Sequence, residues 1–237
     1  KQKKIITFLY KNKKNSSKYI YSSKKNLRLS SISIIFAEQK TKNDKPMAWY
    51  SKYLSIYGKN FNEVSNDIIS ETRERLAALQ SEKPLASIVV IAYNEEQHLQ
   101  ACLWALSEIK CKYPIEIIGV DNDSKDRTAE IFEASGIPYY TEYQHSCGYA
   151  RRCGLQHSKG KYYFDIDSDT IYPPHYFDIM LEELLKPDVS CVSSLWSYFP
   201  DANHSWIGLK LFETCRDLFL YIQHFKRPEL SVRGLVF

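Results

Sequence analysis

Through the middle of the chain, short unbroken apolar runs alternate with stretches of helical spacing. Ile88-Val89-Val90-Ile91-Ala92 offers no polar position to water, as a parallel strand covered on both faces would. It breaks into Tyr93-Asn94-Glu95-Glu96. Leu99, Leu103 and Leu106 then recur at helical spacing and predict a helix from about Gln97 to Ile109. A second strand is predicted in Ile115–Val120, followed by the polar run Asp121–Thr128 and a helix through Ala134. Gly136–Tyr140 reads as a short third strand. Tyr162–Ile166, aromatic and β-branched, reads as a buried strand, and Pro173-Pro174 stops any regular structure soon after it. This alternation predicts an α/β fold, a mostly parallel sheet flanked by helices. Such sheets bind ligands outside the carboxyl ends of their strands. Tyr93–Glu96, Asp121–Asp126 and Asp165–Asp169 all fall at that rim.

Before this region the pattern changes twice. Residues 47–84 are expected to form a helical lead-in. Trp49, Tyr53, Ile56 and Tyr57 share a helical face up to Gly58, and Ser65 or Asn66 caps a second helix through Gln80. Residues 1–46 are Lys, Asn, Ser, Tyr and Ile in no sustained period, a basic low-complexity segment expected to be disordered or not native. The first Met is Met47, so upstream sequence read from a wrong start would have this composition. Residues 85–237 then make up the main domain. Within it, Trp206 to Phe225 reads as an apolar helix packed on the core, its surface partly uncovered and prone to association where later segments are lacking, with a membrane surface as the functional alternative.

Charge sharpens this division. The formal net charge is +4, but residues 1–46 hold 13 of the 32 Lys/Arg and two of the 28 Asp/Glu. Residues 47–237 therefore carry 19 basic against 26 acidic side chains, and a nucleic-acid partner is not expected. The six cysteines include no Cys-x-x-Cys pair and read as reduced thiols of a cytoplasmic protein. His145 and His157 are expected to serve only locally.

The chemistry concentrates in Asp165-Ile166-Asp167-Ser168-Asp169. In an extended chain, residues two apart share a face, so three carboxylates would point one way and repel. A hard divalent cation, Mg²⁺ or Mn²⁺, is the simplest relief. A calcium loop would need Gly and Glu where Thr170 and Tyr176 stand. An aspartyl-nucleophile phosphatase also places Asp-x-Asp after an apolar strand. A solvated acidic turn needs no ligand at all.

Residues 89–96 (Val-Val-Ile-Ala-Tyr-Asn-Glu-Glu), 120–128 (Val-Asp-Asn-Asp-Ser-Lys-Asp-Arg-Thr) and 165–170 (Asp-Ile-Asp-Ser-Asp-Thr) come in a telling order. Together with Gly148–Gly160, they resemble the nucleotide-sugar-binding half of a family 2 glycosyltransferase of the Rossmann-like GT-A fold. The resemblance implies transfer of a sugar from a nucleotide-diphosphate donor to an acceptor hydroxyl, metal-assisted and inverting. Ala92, Tyr93, Asn94 and Glu95 would line the base and ribose, with Asp121 or Asp123 accepting from the base. Relatives often carry an acidic residue where Asn122 stands, and Asn where Arg152 stands. Arg151 would face the diphosphate. Asp167, Ser168 and Asp169 would form the Asp-x-Asp motif, with Asp167 and Asp169 on the Mg²⁺ or Mn²⁺ ion. The acceptor would be a saccharide or lipid-linked, which allows peripheral contact at the cytoplasmic face of a membrane.

By the same resemblance the catalytic base is expected beyond Phe237, with Asp201 and Glu229 the first candidates within the chain. A C-terminally incomplete, non-catalytic nucleotide-binding remnant is the alternative.

Overall fold

The computed structural model describes residues 49–187, 189, 191–199 and 204–226, together with the backbone of short strands at 5–8, 32–35 and 235–236. The rest of residues 1–46, Asp201 and Glu229 lie outside the described residues.

Among the described residues the strands are β1 (Ile5–Phe8), β2 (Ile32–Ile35), β3 (Ala86–Ala92), β4 (Ile115–Asp121), β5 (Tyr139–Thr141), β6 (Tyr162–Asp167), β7 (Thr170–Ile171), β8 (Cys191–Tyr198) and β9 (Leu235–Val236). The helices are α1 (Asn66–Leu79), α2 (Leu99–Ser107), α3 (Thr128–Ser135), α4 (Cys147–His157), α5 (Tyr176–Leu184) and α6 (Trp206–Lys226).

One sheet runs in the order β5-β4-β3-β6-β9-β8-β1-β7, with β2 added on β8. Its first four strands are all parallel. β9 is antiparallel to both β6 and β8. The α/β, mostly parallel architecture expected from the sequence is thus the one observed. β3 and β4 are buried at every position, as strands covered on both faces must be. Ile88, Val90, Phe164 and Ile117 pack with Leu99, Leu103 and Leu106 of α2 on one side. Val89, Ile118, Val120 and Tyr163 pack with Ala150 and Cys153 of α4 on the other.

Two close approaches hold α4 and its exit against the sheet. A Cβ on Gly154 would lie 2.3 Å from Val89, and one on Gly160 would lie 2.6 Å from the Ala86 backbone. At the amino ends of the strands a buried carboxylate, Glu116, accepts from Ser87 Oγ (2.5 Å) and from the Lys159 N–H (2.6 Å). That pair ties the α4–β6 turn to β3 and β4.

The lead-in differs from expectation in its first half. Residues 49–58 form turns and a 3₁₀ segment at Tyr53–Ser55, followed by another at Phe61–Glu63. Here the aromatic spacing serves packing instead of an α-helix. Tyr53, Ile56 and Tyr57 cluster with Ala101, Trp104 and Phe199, and Tyr53 meets the Trp104 ring edge-on at 5.2 Å. Ser65 caps α1 by accepting from the Ile68 N–H.

A second correction concerns α6, which is not packed on the core as expected. Trp206, Ile207, Leu211, Leu218 and Phe219 are all exposed. Its inward anchor is polar: Glu213 is 5% exposed and accepts from the Tyr198 N–H at 2.8 Å. Side chains late in the helix, such as Phe225, lie outside the described residues. No helix among the described residues is long and apolar enough to cross a membrane.

Candidate functional site

Register brings the three polar runs to one rim. Ala92 at the end of β3 pairs with Asp121 at the end of β4, and Ile91 pairs with Asp167 at the end of β6. Between them opens a cleft of about 420 Å³ lined by Ile91, Ala92, Tyr93, Glu95, Asn122, His145, Ser146, Cys147, Ala150, Asp167, Ser168 and Asp169.

The β3–α2 loop is held by the β4–α3 loop through the spare donors of its backbone. The N–H groups of Asn94, Glu95 and Glu96 donate to Ser124 Oγ (2.9 Å), Thr128 Oγ1 (2.8 Å) and Asp126 Oδ2 (3.0 Å). The Lys125 N–H donates back to Asn94 Oδ1 at 2.8 Å. Asn94 (φ 53°) and Asp123 (φ 56°) are left-handed, a conformation that Asn and Asp tolerate better than other side chains. The run Ser124–Thr128 therefore acts as a scaffold for the Tyr93–Glu96 loop.

The carboxylates are arranged differently from a single acidic face. β6 ends at Asp167, and Asp169 sits beyond it in the turn before β7. Asp165 and Asp167 share a face, and their repulsion is relieved by Arg151. Its guanidinium lies 2.5 Å from Asp165 and 3.2 Å from Asp167. The Asp165 side chain is 10% exposed, and its Oδ1 is buried without a hydrogen-bond partner. Burial pushes its carboxyl up to about 6, against the pull of Arg151. Asp169 is pushed up to about 6 as well, first by burial and then by the charges of Glu95 and Asp167. Asp167 opens into the cleft with its side chain 55% exposed. Among the described residues no three His, Cys, Asp or Glu side chains gather closely enough to hold a metal by themselves.

The pattern of glycosyl transferase family 2 matches residues 87–234, well over half of the chain. The chain belongs to glycosyl transferase family 2. It is 33% identical over 107 residues to an uncharacterized glycosyltransferase of Rickettsia prowazekii, covering 44% of this chain and 33% of that protein. With the glycosyltransferase AglE of Haloferax volcanii it shares 30% over 122 residues, covering 48% and 38%. The matched part thus spans about a third of the length of these curated relatives. Glucosyl-3-phosphoglycerate synthase of Mycobacterium tuberculosis, solved with Mn²⁺, UDP-glucose and phosphoglyceric acid, superposes with a TM-score of 0.45 at 21% identity. That superposition covers 71% of this chain and 59% of the other.

Six of the ten residues singled out from this family 2 sequence line the cleft: Ala92, Tyr93, Glu95, Asp167, Ser168 and Asp169. Arg151 borders it through Asp167. Asp121 is buried and accepts from the Ser124 N–H at 3.2 Å. Asp123 faces outward between Lys125 (2.8 Å) and His145 (3.3 Å), and the hydrogen bond from Lys125 holds its carboxyl below the usual range. Asn94 is spent on the loop. The cleft residues that sequence reasoning passed over lie in and before α4. His145 meets the Tyr93 ring edge-on at 5.3 Å, and Ser146 caps the helix. Asn122, at the place of an expected acid, joins them: its Nδ2 donates to the carbonyls of Glu142 (2.7 Å) and Gln144 (2.8 Å). Its Oδ1 accepts from the Ser146 N–H at 3.0 Å.

Proposed function

We propose that this chain transfers a sugar from a nucleotide-diphosphate donor to an acceptor hydroxyl, with inversion at the sugar carbon and with Mg²⁺ or Mn²⁺. The observation that carries the reading is the meeting of Asp167 and Asp169 with Ala92, Tyr93 and Glu95 in the lining of one cleft. Mg²⁺ in phosphate-transferring and related sites is commonly held by one or two carboxylates, with substrate phosphates and waters completing the shell. A pair of carboxylates without a third protein ligand suits that donor set. Asp169 and Asp167 would hold the ion, which when bound offsets the charge that grows on the departing diphosphate.

The chain's own residues do the rest. Tyr93 and Ala92 give the base and ribose an apolar wall, and Asp121, the last residue of β4, or Asp123 just beyond it would accept from the base. Arg151 sets a guanidinium beside Asp167, where phosphate oxygens would lie. The amino end of α4, capped by Ser146, adds partial positive charge on the same side. As the acceptor oxygen bonds to the sugar carbon, the bond to the diphosphate oxygen breaks and the acceptor proton passes to a carboxylate base. A saccharide or lipid-linked saccharide is the acceptor this reading expects.

Calorimetric titration of UDP and GDP, with Mn²⁺ and with EDTA, tests the donor site. Binding should be stronger with Mn²⁺ than in EDTA, and Asp169→Asn should abolish that Mn²⁺-dependent part. Equal affinity in EDTA, or in Asp169→Asn, would overturn the reading.

A further inference from the structure

Tyr57 precedes the family 2 match, which begins at residue 87, yet it reaches the carboxylate turn. Its Oη donates to the Asp169 carbonyl at 2.8 Å. The ring is buried and lies 4.6 Å from the His98 ring. His98 Nδ1 in turn stands 2.7 Å from Glu95 Oε2. Immediately after Tyr57 the chain reverses at Gly58, whose φ of +86° suits glycine, and the Gly58 N–H donates to the Gln97 carbonyl at 2.7 Å. The Phe61 N–H then donates to Glu96 Oε1 at 3.2 Å. The short stretch from Tyr57 to Phe61 thereby ties the Asp169 turn to the Glu95–Gln97 segment.

Asp169 needs such a support. It lies beyond the last residue of β6 and precedes β7, so no strand ladder sets its carbonyl. Carbonyl and side chain leave the same residue, so fixing the peptide orientation restricts where the carboxylate can point. The bracket is also stiff, because Tyr57 packs in one cluster with Ile56, Val64, Ala101 and Phe199.

We propose that Tyr57 is a positioning residue of the donor site, and that the lead-in is a built part of that site although it lies outside the family domain. The proposal rests on the donor reading above.

Tyr57→Phe in the full chain is the test, with Tyr53→Phe as a matched control. Tyr53 Oη bonds Glu108 at 2.7 Å in the same aromatic cluster, so its loss removes a comparable hydrogen bond away from the cleft. Two readouts separate the inference from the donor reading. Hydrogen exchange of the ligand-free protein at Ser168–Ile171 should quicken several-fold in Tyr57→Phe and stay unchanged in Tyr53→Phe. Mn²⁺-dependent affinity for UDP or GDP should fall roughly three- to tenfold in Tyr57→Phe alone, the range for one lost hydrogen bond. Binding without Mn²⁺ should not change, which a merely destabilised fold would not reproduce. Unchanged exchange, or equal losses in both variants, would overturn the proposal. Faster exchange in Tyr57→Phe, beside a wild-type protein that binds neither nucleotide, would leave Tyr57 a clamp of the turn and refute its role toward a donor.

Discussion

Asn122 cannot be exchanged for its isosteric carboxylate without loss, because its amide acts in both senses. Two N–H bonds reach the Glu142 and Gln144 carbonyls while the oxygen receives the Ser146 N–H. An aspartate keeps the third contact and turns the other two into facing acceptors. Asn122→Asp should cost about 2–4 kcal/mol, since stranding a buried polar group costs roughly 1–3 kcal/mol. A urea melt of the variant checks it, and an unchanged midpoint would show that the β5–α4 connection is held by something else. The substitution matters for the site because that connection carries His145 and Ser146 to the cleft. Sequence alone marked position 122 as a departure from a usually acidic place. Its use by three backbone partners appears only once residues 142–146 are brought alongside.

Among the elements, those with an unambiguous hydrophobic period were the legible ones. β3, β4 and β6 have covered faces and no rival pattern, and their carboxyl ends placed the rim correctly. The three-carboxylate face was misread because a period of two holds only while the strand lasts, and β6 ends before Asp169. Nor could spacing reveal that Arg151, a turn along α4, would sit between Asp165 and Asp167. The 3₁₀ segments of the lead-in share enough apolar spacing with an α-helix to be mistaken for one, and the reversal at Gly58 is what separates them. For α6 the apolar spacing was legible but its destination was not. A helix whose apolar side chains stay exposed reads, in sequence, like one packed on a core.

The contact of α4 with the sheet gives a sharper test at this scale. Gly154 faces Val89 (2.3 Å), Tyr163 Oη (3.2 Å) and Val120 (3.3 Å) at the position of a would-be Cβ. Gly154→Ala should destabilise by about 1–3 kcal/mol through overpacking, despite the better helix propensity of Ala. Because α4 also carries Arg151, the same variant should weaken Mn²⁺-dependent nucleotide binding. A stabilised Gly154→Ala protein would show that α4 can ride higher on the sheet at no cost.

For the whole molecule, the acidic cleft sets stability against function. Asp165 and Asp169 have an ordinary value of 3.8 when unfolded and are pushed up to about 6 when folded. The folded state therefore binds more protons than the unfolded state between about pH 4 and 6. Their contribution to stability is present below about pH 4 and is lost as pH rises through about 6. Each shift of about two units corresponds to roughly 2–3 kcal/mol at neutral pH. Other groups pull the opposite way. Although burial raises it, Glu108 is held below its usual range by hydrogen bonds from Lys52 and Tyr53 and by Arg75, so only a difference between variants isolates the cleft. In EDTA at about pH 7, Asp169→Asn should melt above the wild type, and that advantage should vanish by about pH 4. With saturating Mn²⁺ and nucleotide the order should reverse, because only the wild type gains the ligand's stabilisation, about 2.7 kcal/mol at a hundred times the Kd. An Asp169→Asn protein that melts below the wild type in EDTA would mean that the carboxylate stabilises the empty fold. The cleft would then be a structural acidic turn with no cation to await.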